Sequence, residues 1–212
     1  SATSVITISL VNAGVLTFKN SVGIIFGSNV GTTITAQLVA FKLTVFAPVI
    51  IIIGFFLSLT RNRFSIFGKA IFYFGFVFFS LNLISSSLAP LQNNPALIEI
   101  LTQPQNPLIA ILVGCIFTAM VQSSSVTTGL AIVFTQQGIL GLENAVPLIM
   151  GANIGTTVTA TVVSLAHMGR REEFERAFPI AVCHDLFNYM TVLVLLPLEM
   201  MTGFLRHTAV AI

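Results

Sequence analysis

Short polar side chains are concentrated in one motif that occurs twice in this chain and in one run of serines. Their combination suits the binding of a small anion. The stretch from Gly27 to Thr33, GSNVGTT, returns from Gly151 to Thr157 as GANIGTT, and the run QSSS occupies residues 122–125. Hydroxyls and amides donate hydrogen bonds to oxyanions, and glycine lets the backbone approach a ligand closely. No Lys or Arg lies in these motifs. A bound anion would depend on these donors, on helix ends and on a co-bound cation, which favours an ion-coupled carrier over a pore lined by basic residues.

The repeated motif belongs to a longer internal duplication. Residues 1–40 align without a gap on residues 125–164, and 16 of the 40 pairs are identical. In a very apolar chain, two related halves are typical of membrane carriers that bind their substrate where the halves meet. A simpler interpretation is that glycines four residues apart only allow helices to pack closely.

The elements that position these motifs are predicted to be membrane helices. Of the 212 residues, 55% are hydrophobic and 8% are charged, and the mean hydropathy is +0.98. No Asp, Glu, Lys or Arg occurs in residues 70–98, 100–142 or 144–169, and such runs accommodate bilayer helices of about 20 residues. The sequence therefore predicts an all-α integral membrane protein. The net charge of +2 does not indicate nucleic-acid binding, because the basic residues fall in short loops.

The apolar segments differ in length and continuity. Ordinary spanning helices are predicted for residues 43–59, 70–88 and 178–198. Residues 107–121 and 125–136 would be about 22 and about 18 Å long as helices, too short for a hydrocarbon core of about 30 Å. Because the run QSSS separates them, they predict a re-entrant hairpin whose tip is buried in protein. Residues 145–165 are long enough to span, but they contain GANIGTT, which predicts a discontinuous helix.

The distribution of charge predicts how the chain lies across the membrane. The basic loops at residues 61–69 and 170–176 are expected in the cytoplasm, and the Pro/Asn/Gln-rich segment 90–107 on the other side. Lys19 and Glu143 occupy the same repeat position but then fall on opposite faces. That arrangement favours inverted repeats in a multi-pass protein of the cell membrane.

The chain is predicted to consist of two repeats. Residues 1–106 are expected to hold the first repeat with connecting helices, and residues 107–212 the second repeat, together forming one transport domain. The first residue is not Met, and the duplication begins inside the first repeat. We therefore interpret the chain as a fragment that lacks the N-terminal part of that repeat.

Three polar residues, His184, Asp185 and Asn188, lie inside a predicted span. Ionisable groups at membrane depth usually mark functional sites, although a polar helix end near the headgroups is an alternative. His184 with a serine of the QSSS run would also suit an intramembrane serine hydrolase. That alternative lacks a Gly-x-Ser-x-Gly elbow and leaves the second copy of the motif unexplained. We therefore do not expect an enzyme.

The motifs together resemble those of the type II sodium/phosphate cotransporter family, including its bacterial members. The resemblance rests on QSSS, on both glycine–asparagine–threonine motifs, and on RAF at residues 176–178 and HDLFN at residues 184–188. It implies two inverted repeats that hold phosphate and Na+ between re-entrant hairpin tips and broken helices. It also implies sodium-dependent phosphate symport. Alternatives are phosphate export, coupling to another ion, and a non-transporting membrane scaffold or remnant.

We expect one site for phosphate and Na+ in a protein surrounded by the lipid bilayer, with no cofactor and no metal beyond the transported Na+. In the family the serine run is present in both halves, and Ser1 matches the last serine of the first copy. The expected site residues are the polar and glycine residues of the second repeat and those of the first repeat that would face them: Gln122, Ser123, Ser124, Ser125, Thr127, Asn153, Gly155, Thr156 and Thr157, with Ser1, Thr3, Asn29, Gly31, Thr32 and Thr33.

Overall fold

A computed structural model describes residues 2–41, 43–60, 64–88 and 106–211. Several expectations concern residues outside these ranges: Ser1 as a site residue, Arg61 and Arg63 in the first basic loop, and nearly all of segment 90–107. Within the described ranges the chain forms helices and turns and no strand. The prediction of an all-α protein is confirmed.

Nine α-helices and one 3₁₀ turn make up the described ranges. The 3₁₀ turn, Leu43–Phe46, leads directly into the third helix. The helices are α1 (Ala2–Asn12), α2 (Phe18–Ala40), α3 (Ala47–Ser58), α4 (Phe64–Leu88), α5 (Pro107–Val121), α6 (Ser124–Gln136), α7 (Leu142–Leu165), α8 (Arg171–Thr202) and α9 (Phe204–Ala211).

Four of the described helices, α2, α4, α7 and α8, are long and apolar enough to cross a membrane. Large apolar side chains on α4, such as Phe67 and Tyr73, are more than half exposed, which suits contact with hydrocarbon rather than water. The predicted span at residues 43–59 is less regular than expected. Its α-helical part begins only at Ala47, because Pro48 lacks the amide hydrogen that a continuous helix would use.

The duplication is visible in the backbone as well as in the sequence. Helices α1 and α2 begin and end at nearly the same repeat positions as α6 and α7. Gly14 and Gly138, which are equivalent in the repeat, both have φ +71°, a left-handed conformation that favours glycine. The turn hydrogen bonds also match, since Val15 N donates to Leu10 O as Ile139 N donates to Phe134 O, each at 2.9 Å. The relative membrane orientation of the two copies stays a prediction.

The prediction that GANIGTT interrupts a helix is wrong. Helix α7 runs unbroken through the motif, as α2 does through GSNVGTT. The glycines instead allow α5 to lie directly against α7: a Cβ atom on Gly151 would be 2.0 Å from Ile111 O, and one on Gly155 would be 2.3 Å from Cys115 O. The close-packing interpretation is therefore confirmed for this copy of the motif.

The glycines of the first copy have no such contact among the described residues. A Cβ atom on Gly27 or Gly31 would meet nothing within 4 Å. Two copies of one motif thus stand in different surroundings, although both are helical.

The chain divides into two compact units that do not coincide with the predicted repeats. The first unit holds residues 2–33, 106–128 and 142–211 of the described ranges, around a core that includes Ile8, Ile25 and Ile180. The second holds described residues from 34 to 88 and residues 129–141, around a core that includes Phe78 and Leu81. The assignment of residues 1–106 and 107–212 to two repeats stays a prediction.

Candidate functional site: a serine-lined polar cavity

The break predicted between α5 and α6 is present and is formed by Gln122. This residue has φ 62°, a left-handed value that is uncommon outside glycine, and its N–H donates to Thr118 O at 2.7 Å. Its side chain donates to Ala119 O at 2.9 Å and accepts a hydrogen bond from Thr159 on α7. Helix α6 then begins at Ser124, so serine hydroxyls and first-turn N–H groups lie at one helix N-terminus.

A polar cavity of about 230 Å³ opens beside this break, inside the first unit. It receives residues from the QSSS run, from the first glycine motif, from the start of α1, and from α7 and α8. Among the described residues that line it, none is Lys or Arg. The lining consists of Ala2, Ser4, Ser28, Asn29, Thr32, Gln122, Ser123, Ser124, Ser125, Thr156 and His184.

The hydroxyl groups of this polar cavity fall into two classes. The threonine hydroxyls bond back to their own helices: Thr32 donates to Ser28 O and Thr156 to Ala152 O, each at 3.0 Å. Within the described ranges, no serine hydroxyl of the lining forms a hydrogen bond. Five serine hydroxyls thus remain as donors for a bound molecule: those of Ser4, Ser28, Ser123, Ser124 and Ser125.

An amide–imidazole network connects α2 with α8 at the wall of the polar cavity. His184 Nε2 lies 3.2 Å from Asn29 Oδ1, and Asn29 Nδ2 donates to Asn188 Oδ1 at 3.3 Å. Because an amide oxygen only accepts, Nε2 carries the proton in this contact. His184 and Asn188 are 2% and 5% exposed. They are therefore packed within the first unit rather than presented at its surface.

Asp185, the third member of the predicted polar cluster, forms its hydrogen bond with α7, whereas His184 and Asn188 contact α2. Thr161 on α7 donates to Asp185 Oδ2 at 2.9 Å. The other carboxylate oxygen, Oδ1, is buried and has no hydrogen-bond partner in the described part of the chain. A buried carboxylate oxygen in this state suits a cation or a proton donor.

Several predicted site residues do not line the polar cavity. Asn153 is exposed and lines a second cavity, and Thr127 shares a 2.7 Å hydrogen bond with Thr118. Thr157 is buried and bonds to Ile154 O. The other predicted residues outside the lining are Thr3, Gly31, Thr33 and Gly155.

Three polar residues that line the polar cavity were not predicted for the phosphate site from the sequence. Ser4 and Ser28 were not expected, although Ser28 stands directly before Asn29 in the first motif. Its repeat equivalent is Ala152, so the hydroxyl at this position is not repeated in the second copy. His184 was expected in a separate cluster but lies at the wall of the same cavity.

Apolar helices around a cavity lined by hydroxyl and amide groups are typical of the class of membrane transport proteins. The particular family is shown by comparison with known proteins. The chain belongs to the Na+/Pi-cotransporter family, whose model matches residues 1–86 and 92–205. This confirms the predicted family and the prediction that the protein is not an enzyme.

Relatives at two evolutionary distances support the family. Sodium-dependent phosphate transport protein 2A of Ovis aries is 49% identical over 102 residues, which are 48% of this chain and 16% of that protein. Protein 2B of Homo sapiens is 40% identical over 144 residues, or 66% of this chain and 21% of that protein. The uncharacterized protein YqeW of Bacillus subtilis (strain 168) is 33% identical over 210 residues, or 98% of this chain and 66% of that protein. No solved structure matches the chain.

Proposed function

We propose that the protein to which this chain belongs transports inorganic phosphate together with Na+, and that the polar cavity is where the phosphate binds. The observation that carries this proposal is the set of five serine hydroxyls that line the cavity without a hydrogen bond in the described ranges. The family and the names of the mammalian relatives support phosphate and Na+ as the transported ions. Since the chain spans 16% of the sheep relative, the activity is proposed for the whole protein.

Phosphate is held by donors rather than by fixed charge in this proposal. Ser123, Ser124 and Ser125 donate from the start of α6, whose N-terminal N–H groups also favour an anion. Ser4 and Ser28 donate from α1 and α2. Each hydrogen bond to a charged ligand contributes about 1.5–3 kcal/mol.

Na+ supplies the positive charge that the lining lacks. Inorganic phosphate carries one to two negative charges near neutral pH, and a helix N-terminus offers only about half a unit of positive charge. Asp185 is the acidic residue beside the His184–Asn188 network, and its Oδ1 has no partner among the described residues. We place Na+ at this carboxylate, with Thr161 Oγ1 as a neighbouring oxygen.

Phosphate binding is expected to require Na+. Equimolar replacement of Na+ by choline should weaken phosphate affinity at least about tenfold in the purified full-length protein, because an uncompensated anion in a site of low polarity is unfavourable. Uptake of labelled phosphate into vesicles should fall in parallel. Unchanged affinity and uptake in choline, at two pH values, would show that the coupled mechanism is wrong.

The two repeats are proposed to lie in opposite membrane orientations, with the loop at residues 170–176 in the cytoplasm. In a full-length protein without Cys115 and Cys183, cysteine at position 19 should react with an impermeant reagent from inside, and cysteine at position 143 from outside. Both positions lie in the first turn of equivalent helices, α2 and α7. Labelling of both from the same side would exclude the inverted arrangement.

A further inference from the structure

His184 lies at the wall of the polar cavity, but neither of its ring nitrogens is available to a bound anion. Nε2 donates its proton to Asn29 Oδ1, which is 3.2 Å away. Nδ1 is buried and has no hydrogen-bond partner in the described ranges. The imidazole is therefore not a direct donor to phosphate, and its polar effect on the cavity passes through Asn29.

Asn29 on α2 is held by two residues of α8 that lie one helical turn apart. His184 donates to its Oδ1, and its Nδ2 donates to Asn188 Oδ1 at 3.3 Å. Phe26 packs on Phe187 with their ring centroids 4.5 Å apart, which keeps α2 beside α8 at this level. Turning the Asn29 amide over would place its NH2 group against the N–H of His184. The amide thus has one favoured orientation as long as His184 donates from Nε2.

This orientation keeps an acceptor away from a bound anion. An amide oxygen only accepts hydrogen bonds, so an anion beside it is repelled. The other carboxamide of the described lining is arranged in the same way, because Gln122 Oε1 accepts a hydrogen bond from Thr159. The NH2 group of Asn29 carries two hydrogens, and in the described ranges Asn188 accepts one of them. The second is left for a ligand.

We propose that His184 is a positioning residue for phosphate, which holds the oxygen of Asn29 away from the anion so that the NH2 group can donate to it. This inference rests on the proposed binding of phosphate in the polar cavity. Asn188 supports the same orientation from outside that cavity, since it lines the second cavity, formed by α7, α8 and α9. Without the imidazole donor, Asn29 can rotate and present its oxygen, which opposes anion binding.

The test measures equilibrium binding of labelled phosphate to the full-length protein at saturating Na+. His184→Phe keeps a ring of similar size without a donor, and it should weaken phosphate binding at least about tenfold, the equivalent of one hydrogen bond to a charged ligand. His184→Gln places an amide N–H near the position of Nε2 and should bind within about threefold of wild type. Equal affinity of His184→Phe and wild type would overturn the proposal. His184→Leu gives the same decision if His184→Phe does not fold.

The order of the two variants separates positioning from a purely structural role. His184 is 2% exposed, so an apolar ring is tolerated better in its place than an amide without partners. If His184 only packs α8 against its neighbours, His184→Gln should be the more damaging change, both in thermal unfolding midpoint and in phosphate affinity. The proposal expects His184→Gln to bind phosphate more tightly than His184→Phe. The reverse order of affinities would count against it.

A double-mutant cycle with Asn29→Ala tests whether the effect passes through Asn29. Once the amide is gone, His184→Phe should cause no further loss of phosphate affinity, whereas additive losses would contradict the proposal. His167→Phe is the matched control. Its Nδ1 lies 2.8 Å from Val163 O, and the residue does not line the polar cavity, so phosphate affinity should stay unchanged.

Failure of this inference can be distinguished from failure of the proposed function. If wild type does not bind phosphate, or if Ser124→Ala binds it as wild type does, the proposed phosphate site is wrong. If Ser124→Ala weakens binding and His184→Phe does not, the site stands and the role of His184 is wrong. A loss in His184→Phe that is present only below saturating Na+ would also contradict that role, because His184 would then act on Na+ at the neighbouring Asp185.

Discussion

The change from Gly151 to alanine is expected to lower the thermal unfolding midpoint of the chain in detergent by roughly 5–10 °C. The added Cβ atom would lie 2.0 Å from Ile111 O and 2.8 Å from Ile111 Cα. These are backbone atoms, so no side chain can rotate to make room and α5 must move away from α7. Overpacking of this kind typically lowers the free energy of unfolding by about 1–3 kcal/mol. Because the contact is with backbone atoms, we expect a loss near the upper end of that range.

Gly27→Ala is the matched control for that result. Gly27 is the repeat equivalent of Gly151, in the same motif and also within a helix. A Cβ atom there meets nothing within 4 Å among the described residues, while alanine favours a helix over glycine by up to about 1 kcal/mol. The midpoint should stay unchanged or rise slightly. Equal destabilisation by both substitutions would mean that the contact between α5 and α7 does not determine the effect.

Ser124→Ala is expected to weaken phosphate binding to the full-length protein by roughly 10- to 150-fold, the equivalent of one hydrogen bond to a charged ligand. Ser124 lies at the first position of α6, and its hydroxyl has no partner within the described ranges. The protein should remain folded, because the hydroxyl makes no internal hydrogen bond that the substitution would remove. Affinity measured by equilibrium binding in Na+ checks this expectation.

Two further variants make that experiment specific. Ser164 is also a buried serine, but it donates to Thr161 O and does not line the polar cavity, so Ser164→Ala should leave phosphate affinity unchanged. Asn153 was expected in the phosphate site but lines the second cavity, so Asn153→Ala should cause a smaller loss than Ser124→Ala. If Ser124→Ala binds phosphate as wild type does, the serine hydroxyls do not hold the anion.

The sequence predicted those features that depend on local composition. Apolar segments identified α4, α7 and α8 as long membrane helices, but α2 was not predicted as a span and the predicted span at residues 43–59 forms only a shorter helix. The polar residues after Val121 identified the break between α5 and α6. The duplication predicted equivalent elements, and Gly14 and Gly138 share their backbone conformation. In each case the signal lies in the sequence itself, either in a short stretch or in the match between residues 1–40 and 125–164, so the packing of neighbouring helices did not have to be known.

The features that were missed depend on contacts between distant segments. Whether glycine breaks a helix or allows close packing depends on the neighbour, and Gly151 contacts the backbone of α5, which no spacing rule specifies. Asn153 was assigned to the phosphate site because its motif is repeated, but α8 and α9 place it at another cavity. His184 joined the polar cavity only because α8 lies against Asn29 of α2.

The serine hydroxyls that line the polar cavity affect which oxyanions the cavity can bind. A hydroxyl both donates and accepts, and it rotates to do either. If phosphate is the bound anion, the same five serines can donate to its unprotonated oxygens and accept from its P–OH groups. Sulfate is fully deprotonated near neutral pH, and the same hydroxyls can rotate so that all of them donate to its oxygens. The serine lining alone therefore does not distinguish phosphate from sulfate, and discrimination would require a group that only accepts hydrogen bonds, which a serine hydroxyl is not.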